Sequence, residues 1–209
     1  MRRSQQQSVV DAGSEAVRRR VVGLARRHFF AHGFRRVTMD ELAADLGMSK
    51  KTVYVLFPNK AGLLDAVMDD KLAEVDVDLG RATAGCAGDF EGALRGLLAV
   101  MQRHTEEIRP PFVRDVRRSA PDFFHRVEVR REELLRRHFG KLFAAGRRAG
   151  RIRADIPTRF VIEVLLGATQ AIMNPPKIAD LGLTPETGFR WIATIVLEGV
   201  LVRNGRAGP

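Results

Sequence analysis

Apolar residues along this chain recur at three- and four-residue steps, the spacing that gathers them on one face of an α-helix. Nowhere do they alternate as a half-buried strand requires. Val17, Val21, Leu24, Ala25 and Phe29 form the first stripe and predict a helix over 14–32, ended by Gly33, with arginines on its opposite face. Leu63, Leu64, Val67, Met68, Leu72 and Val75 predict another over 59–79, and two short helices fit between. Small residues over 80–88 break the pattern and mark the best domain boundary. Beyond it, helices are predicted at 89–107, 112–118, 121–149, 157–174 and 185–203, with Pro110-Pro111, Pro121, Gly150, Pro157, Pro175-Pro176 and Pro185 as punctuation. The expected fold class is all-α.

The last two long helices are apolar round most of the cylinder. Phe160, Leu165, Ala168 and Ile172 belong to the first, and Phe189, Trp191, Ile192 and Ile195 to the second; Leu201 and Val202 extend the latter. A helix that is apolar all round must be buried all round. One face can pack on its own domain while the other meets a second subunit in a two-fold four-helix interface, so the eight from Phe160 to Ile195 are expected at a homodimer interface. A central core helix is the alternative.

Composition sharpens this picture mainly through charge. The formal net charge is +10 and the pI near 10.8, which points to polyanionic partners and says nothing of fold. The charge is segmental: 1–60 and 108–153 are basic, 61–107 is acidic and 154–209 is balanced. One cysteine, Cys86, excludes an intramolecular disulfide framework and fits a reducing compartment. The polar N-terminus lacks the core of a secretion signal, and no stretch approaches the ~20 apolar residues of a membrane span. No membrane partner is expected, and the location expected is the bacterial cytoplasm, at the nucleoid.

The stretch with most information runs from Val37 to Phe57. Thr38 can cap a helix while Glu41 reaches back to its amide, and Val37 and Leu42 take the positions of a hydrophobic staple. Gly47 permits the positive φ of a tight turn; Ser49 caps a second helix, with Met48 and Val53 repeating the staple. Small Ala43 falls where the two helices would cross. This is a helix-turn-helix by its own residues. The second helix exposes Lys50, Lys51, Thr52, Tyr54 and Val55: lysines for guanine edges or phosphates, Thr52 and Val55 for a thymine methyl. A solvated lysine pair on an ordinary surface helix is the competing reading. Pro58-Asn59-Lys60 starts the next helix and would aim its positive end, with Lys60, at an anion.

From Arg18 to Phe34, from Thr38 to Lys60, and at Leu63-Leu64, the sequence resembles the DNA-binding domain of TetR-type regulators, the resemblance covering roughly residues 14–80. The Gln-rich start reads as a disordered arm over 1–13; the resemblance implies a helix-turn-helix domain with its connecting helix over 14–80 and a C-terminal effector-binding and dimerisation domain over 81–209. It further implies a homodimer that grips a pseudo-palindromic double-stranded DNA operator and releases it when a small molecule binds. By motif, Thr38, Lys50, Lys51, Thr52, Tyr54 and Lys60 are expected at DNA, with the Ser49 cap and Val55 beside them. Where such proteins often carry an aromatic residue and a histidine, this chain has Val55 and Leu56, which leaves the operator sequence open.

The effector has to be argued from residues. Met101, His104, Phe112, Phe123, Phe124, Phe143, Gln170 and Met173, together with His125 and Phe139, can line an apolar cavity with a few polar anchors, or simply be core. The arginines of 108–153 can attract an anion or form a solvated face paired with Glu128, Glu132 and Glu133. His28 and His32 lie four apart but have no cysteine or carboxylate ligands near them in sequence, so no metal and no cofactor are expected. Cys86 lacks neighbours that would make it a redox switch, apart from Arg81. No phosphate loop, carboxylate pair or Ser/His/Asp arrangement is visible, so an enzyme is not expected. The alternative to a ligand-responsive repressor is a DNA-associated adaptor whose C-terminal domain docks another protein.

Overall fold

The expected helical stripes become helices because each has a partner surface to cover it. A computed structural model describes residues 2–84, 89–173 and 175–200, with side chains from residue 13 onward, those of 175, 176 and 185 excepted. Ten helices follow in order among the described residues: α1 Arg2–His32, α2 Met39–Asp45, α3 Lys50–Leu56, α4 Lys60–Thr83, α5 Phe90–Glu106, α6 Pro110–Ser119, α7 Pro121–Arg148, α8 Thr158–Ile172, α9 Pro175–Asp180 and α10 Pro185–Val200. Cys86, Leu201 and Val202 lie outside the described residues.

Several expectations need correction. Residues 1–13 were expected as a disordered arm, but α1 is already helical from Arg2. The small residues at 80–88 do not end α4 at once, since the helix passes through Gly80 and reaches Thr83. Pro110-Pro111 and Pro175-Pro176 open helices α6 and α9 instead of separating them, because the first turn of a helix needs no amide donor and tolerates the fixed φ of proline. Helix α9 was therefore missed.

The chain divides into two units that do not follow the expected boundary at residue 80. The first comprises 1–73 together with 107–124, and the second 74–106 together with 125–209. Segment 107–124 joins the first unit because its own apolar residues are used there. Phe112 of α6 stacks edge-on against Phe30 of α1 with ring centroids 4.9 Å apart, and the Arg109 amide donates to the Phe30 carbonyl at 3.2 Å. The Asp115 carboxylate accepts from the Arg35 amide. Gly33, at φ 91°, lets this happen, since a Cβ there would stand 2.6 Å from Asp115 Oδ2. The rest of the first core is Val21, Ala25, Phe29, Leu42, Val53, Phe57, Leu63, Leu64 and Val67, all buried.

A second fastening in this unit is ionic. Lys71 of α4 is 2% exposed and its ammonium is held by Glu107 Oε2. Arg26 of α1 donates to both Glu107 oxygens at 2.7 Å and reaches Asp70 at 3.2 Å. Burial alone would raise the Glu107 carboxyl; the hydrogen bonds from Arg26 and then Lys71 outweigh it and lower the pKa to about 2.

In the second unit, Leu79, Phe90, Leu97, Leu135, Phe139, Leu142, Phe143, Leu165, Phe189 and Ile192 form one continuous core drawn from α4, α5, α7, α8 and α10. Gly146 is required where α7 passes α5, because a Cβ would meet the Phe90 ring at 2.4 Å. Helices α8 and α10 pack together and each keeps an uncovered side. Among the described residues no helix is long and apolar enough to cross a membrane.

Candidate nucleic-acid interface

The α2–turn–α3 hairpin is built by the devices its sequence announces. Thr38 Oγ1 accepts from the Glu41 amide at 3.1 Å while Glu41 Oε2 accepts from the Thr38 amide at 2.8 Å, closing a capping box. These hydrogen bonds hold the Glu41 carboxyl below its ordinary value. Gly47 sits at φ 65°, the left-handed conformation that a side chain would strain. Ser49 Oγ accepts from the Thr52 amide and caps α3. Beneath them Leu42, Ala43 and Val53 are buried to 1% exposure or less, so the two helices share one small core.

Core and caps leave one face of α3 outward. Lys51, Thr52, Tyr54 and Val55 are exposed, Val55 at 73% and Tyr54 at 44%. Lys50 is exposed too, but its ammonium is 2.6 Å from Asp40 of α2, and that carboxylate raises its pKa. It ties the hairpin across the turn as well as presenting charge. The Thr52 hydroxyl lies 2.8 Å from Ser49 Oγ and is part of the cap. Thr38 is exposed at the start of α2.

Lys60 departs from its expected place. Its ammonium lies 4.4 Å from the centre of the Phe34 ring and 5.9 Å from that of Phe29, and it donates to the Arg35 carbonyl at 3.4 Å. Half-burial against these rings lowers its pKa. In this conformation Lys60 braces the end of α1 instead of reaching outward. Asn59 does cap α4 as expected, accepting from the Gly62 amide at 2.8 Å. Arg18 joins the hairpin as well. Its guanidinium stacks 4.4 Å from the Phe57 ring and donates to the Leu56 carbonyl at the end of α3. A cation on the stripe opposite the core of α1 was the signal available for it.

The other candidate sets are divided. Of the proposed effector residues, Phe112, Phe123 and Phe124 belong to the first unit, whereas Met101, His104, Phe143, Gln170 and Met173 belong to the second. Phe112 is consumed by Phe30, Met101 and Phe143 are core, and Gln170 is exposed on α8. Of the expected dimer residues, Phe160, Trp191 and Ile195 are exposed at 61%, 52% and 74%, and Val164 joins them at 42%. Leu165, Phe189 and Ile192 are instead enclosed by their own unit, while Ala168 and Ile172 are intermediate. Part of the arginine block is paired: Arg131 with Glu128, Arg136 with Glu163 and Glu132, and Arg137 with Asp76. His28 meets Asp45 at 3.3 Å and the His32 ring edge-on.

Two buried histidines of the second unit were not singled out as a pair by sequence. His138 of α7, 5% exposed, donates from Nε2 to Asp76 of α4 at 2.7 Å, and its Nδ1 has no partner among the described residues. His104 of α5 makes the analogous contact with Asp78 at 3.0 Å. Their acidic partners stand two apart on α4, in the acidic segment of the chain.

A sequence profile for bacterial regulatory proteins of the tetR family matches residues 22–67, from the middle of α1 through the hairpin into α4. Over this stretch the chain is similar to the TetR family. A curated relative, the HTH-type transcriptional repressor SCO4008 of Streptomyces coelicolor, is 27% identical over 165 residues, which is 77% of this chain and 81% of the relative. A TetR-family transcriptional regulator of Mesorhizobium loti has the same fold, with a TM-score of 0.68 at 20% identity over 90% of this chain and 98% of that one. SmeT of Stenotrophomonas maltophilia, solved in complex with triclosan, gives a TM-score of 0.64 at 17% identity, covering 91% of this chain and 93% of its own. The matched stretch contains both α2 and α3, and α3 is the second helix of the helix-turn-helix.

Proposed function

We propose that this chain is a transcriptional repressor that binds a pseudo-palindromic DNA operator as a homodimer and lets go when a small molecule enters its second unit. The observation that carries the proposal is the outward face of α3, where Lys51, Tyr54 and Val55 stand free of the core that Val53 anchors. Lys51 and Lys50 supply donors for phosphates or guanine edges, Tyr54 a phosphate-directed hydroxyl, and Val55 an apolar surface for a thymine methyl. Lys60 joins as a phosphate contact if it leaves the Phe34 ring. Repression is the activity named for the SCO4008 relative.

The dimer reading rests on the apolar stripe of α8, Phe160 and Val164, with Trp191 and Ile195 on α10. Water-facing apolar side chains of that size on two packed helices favour a second copy. The effector reading rests on the second unit, where His138 Nδ1 is buried with no partner among the described residues while Nε2 meets Asp76. A small apolar molecule with a polar group that can hydrogen-bond to this nitrogen fits that place; SmeT, of the same fold, was solved in complex with triclosan.

The test is selection of a duplex from a random library, followed by fluorescence anisotropy. The selected site is expected to be an inverted repeat bound by a dimer, with affinity falling steeply as salt rises. Lys51→Ala should weaken binding and lower the salt slope by about one, and Tyr54→Phe should weaken it further. A protein that shows no preference among duplexes, or a Lys51→Ala variant that binds as well as the parent at every salt concentration, overturns the reading.

A further inference from the structure

The second unit gathers three oxygen and nitrogen ligands that the DNA-binding reading does not use. Glu74 and Asp78 are four residues apart on α4, so both carboxylates lie on one face of that helix. His104 comes to them from α5. One ligand atom of each residue lies within 4.8 Å of those of the other two, and His104 itself is 7% exposed, fixed in place by the surrounding core.

The Asp78 carboxylate already collects positive groups. His104 Nε2 donates to Oδ2 at 3.0 Å, Arg103 Nη2 stands 2.5 Å from the same oxygen, and Arg81 Nη1 is 3.3 Å from Oδ1. Both arginine side chains are solvated, at 63% and 78% exposure, so either can swing away without uncovering the core. The imidazole cannot. The two arginines compete for Asp78, while the imidazole nitrogen and the Glu74 carboxylate stand beside it.

We propose that Glu74, Asp78 and His104 form a binding site for a divalent transition-series cation of the zinc type. Two carboxylates neutralise a divalent ion, and the imidazole favours a borderline metal over calcium or magnesium, which take oxygen ligands alone. Tetrahedral zinc with ligands at about 2.1 Å requires ligand atoms roughly 3.4 Å apart. Rotamer adjustments of Glu74, which is exposed, and of Asp78 close the present spacing to that value. The metal takes the Nε2 lone pair of His104 in the tautomer that carries its proton on Nδ1; the proton now between Nε2 and Asp78 moves to Nδ1 or, if Nδ1 is already protonated, to solvent, and one or two waters complete the shell. This site is distinct from the His28–His32 pair, the only histidine pairing that sequence spacing brought up, because its third ligand comes from a different helix.

The test is titration of the intact chain with cobalt(II) chloride and zinc chloride, with visible absorption as the readout for cobalt and calorimetry for zinc. Expected are about one equivalent per protomer with a visible cobalt band, and a rise in melting temperature that grows with metal concentration. His104→Gln and Asp78→Asn should each weaken binding by about tenfold or more. Glu74→Gln, which leaves the Asp78–His104 contact in place and so the fold, should weaken it as well. Arg103→Ala should bind as tightly as the parent or tighter, since it removes a competitor for Asp78; an ordinary ion-pair cluster would gain nothing from that change. His125→Gln, an exposed histidine on α7, should bind as the parent does. Cobalt and zinc binding that is unchanged in Glu74→Gln, or lost equally in His125→Gln, or absent from the parent at millimolar metal, overturns the proposal.

Discussion

Replacing Glu107 by Gln keeps the shape of the side chain and removes the charge that Lys71 and Arg26 share. Lys71 stays 2% exposed and must keep its ammonium in a place built around a carboxylate. Removing one partner of a buried ion pair costs about 3–5 kcal/mol. Glu107 is 36% exposed and Asp70 remains beside Arg26, so water and the second carboxylate take up part of that, and about 2 kcal/mol is expected. The sign of the pH dependence follows from the lowered pKa. Unfolded, Glu107 titrates near 4.5, and folded at about 2. Its contribution is whole above the first value and is lost as pH falls through the second. Urea unfolding followed by helical circular dichroism, at one protein concentration, should show the parent more stable than Glu107→Gln by about 2 kcal/mol at pH 7 and by less than half of that at pH 3. Lys71→Met should cost less, about 1 kcal/mol, because it removes the buried charge rather than its partner. A gap of the same size at pH 3 and pH 7, or a larger loss from Lys71→Met than from Glu107→Gln, refutes the reasoning.

Gly146→Ala drives a methyl into the Phe90 ring and should lower stability by about 1–3 kcal/mol; Phe90→Leu in the same chain should restore part of it, and urea melts of the three proteins check this. Ile195→Glu, at a position 74% exposed, should leave the circular dichroism of the chain unchanged while converting a dimer into a monomer in sedimentation at micromolar concentration. An unaltered sedimentation coefficient removes α10 from the interface.

What was legible in the sequence follows how local the cause is. Capping box, glycine turn and staples each act within a few residues, and Thr38, Glu41, Gly47 and Ser49 stand as their spacing announced. The long helices were legible for the same reason, since a stripe at helical steps needs no knowledge of its partner. What the sequence leaves unread depends on contacts distant along the chain. Lys60 reads as a phosphate clamp until Phe34, from another segment, appears beneath it. Phe112 reads as a cavity residue until Phe30 takes it. Leu165 and Phe160 lie on the same apolar cylinder, and only packing tells the enclosed residue from the uncovered one. Proline misled in its own way, because it signals a helix boundary without saying whether the helix lies before it or after.

The membership of 107–124 in the first unit bears on how this protein can be taken apart. The DNA-reading head is discontinuous in sequence, since α6 returns after α5 to cover Phe30 and Glu107 returns to hold Lys71. A graft that moves only the first 80 residues onto a foreign sensor carries the reading helix intact but strips α1 of its lid and Lys71 of its carboxylate. A working chimera has to bring α6 along, so the exchangeable module is the head together with that returning strap.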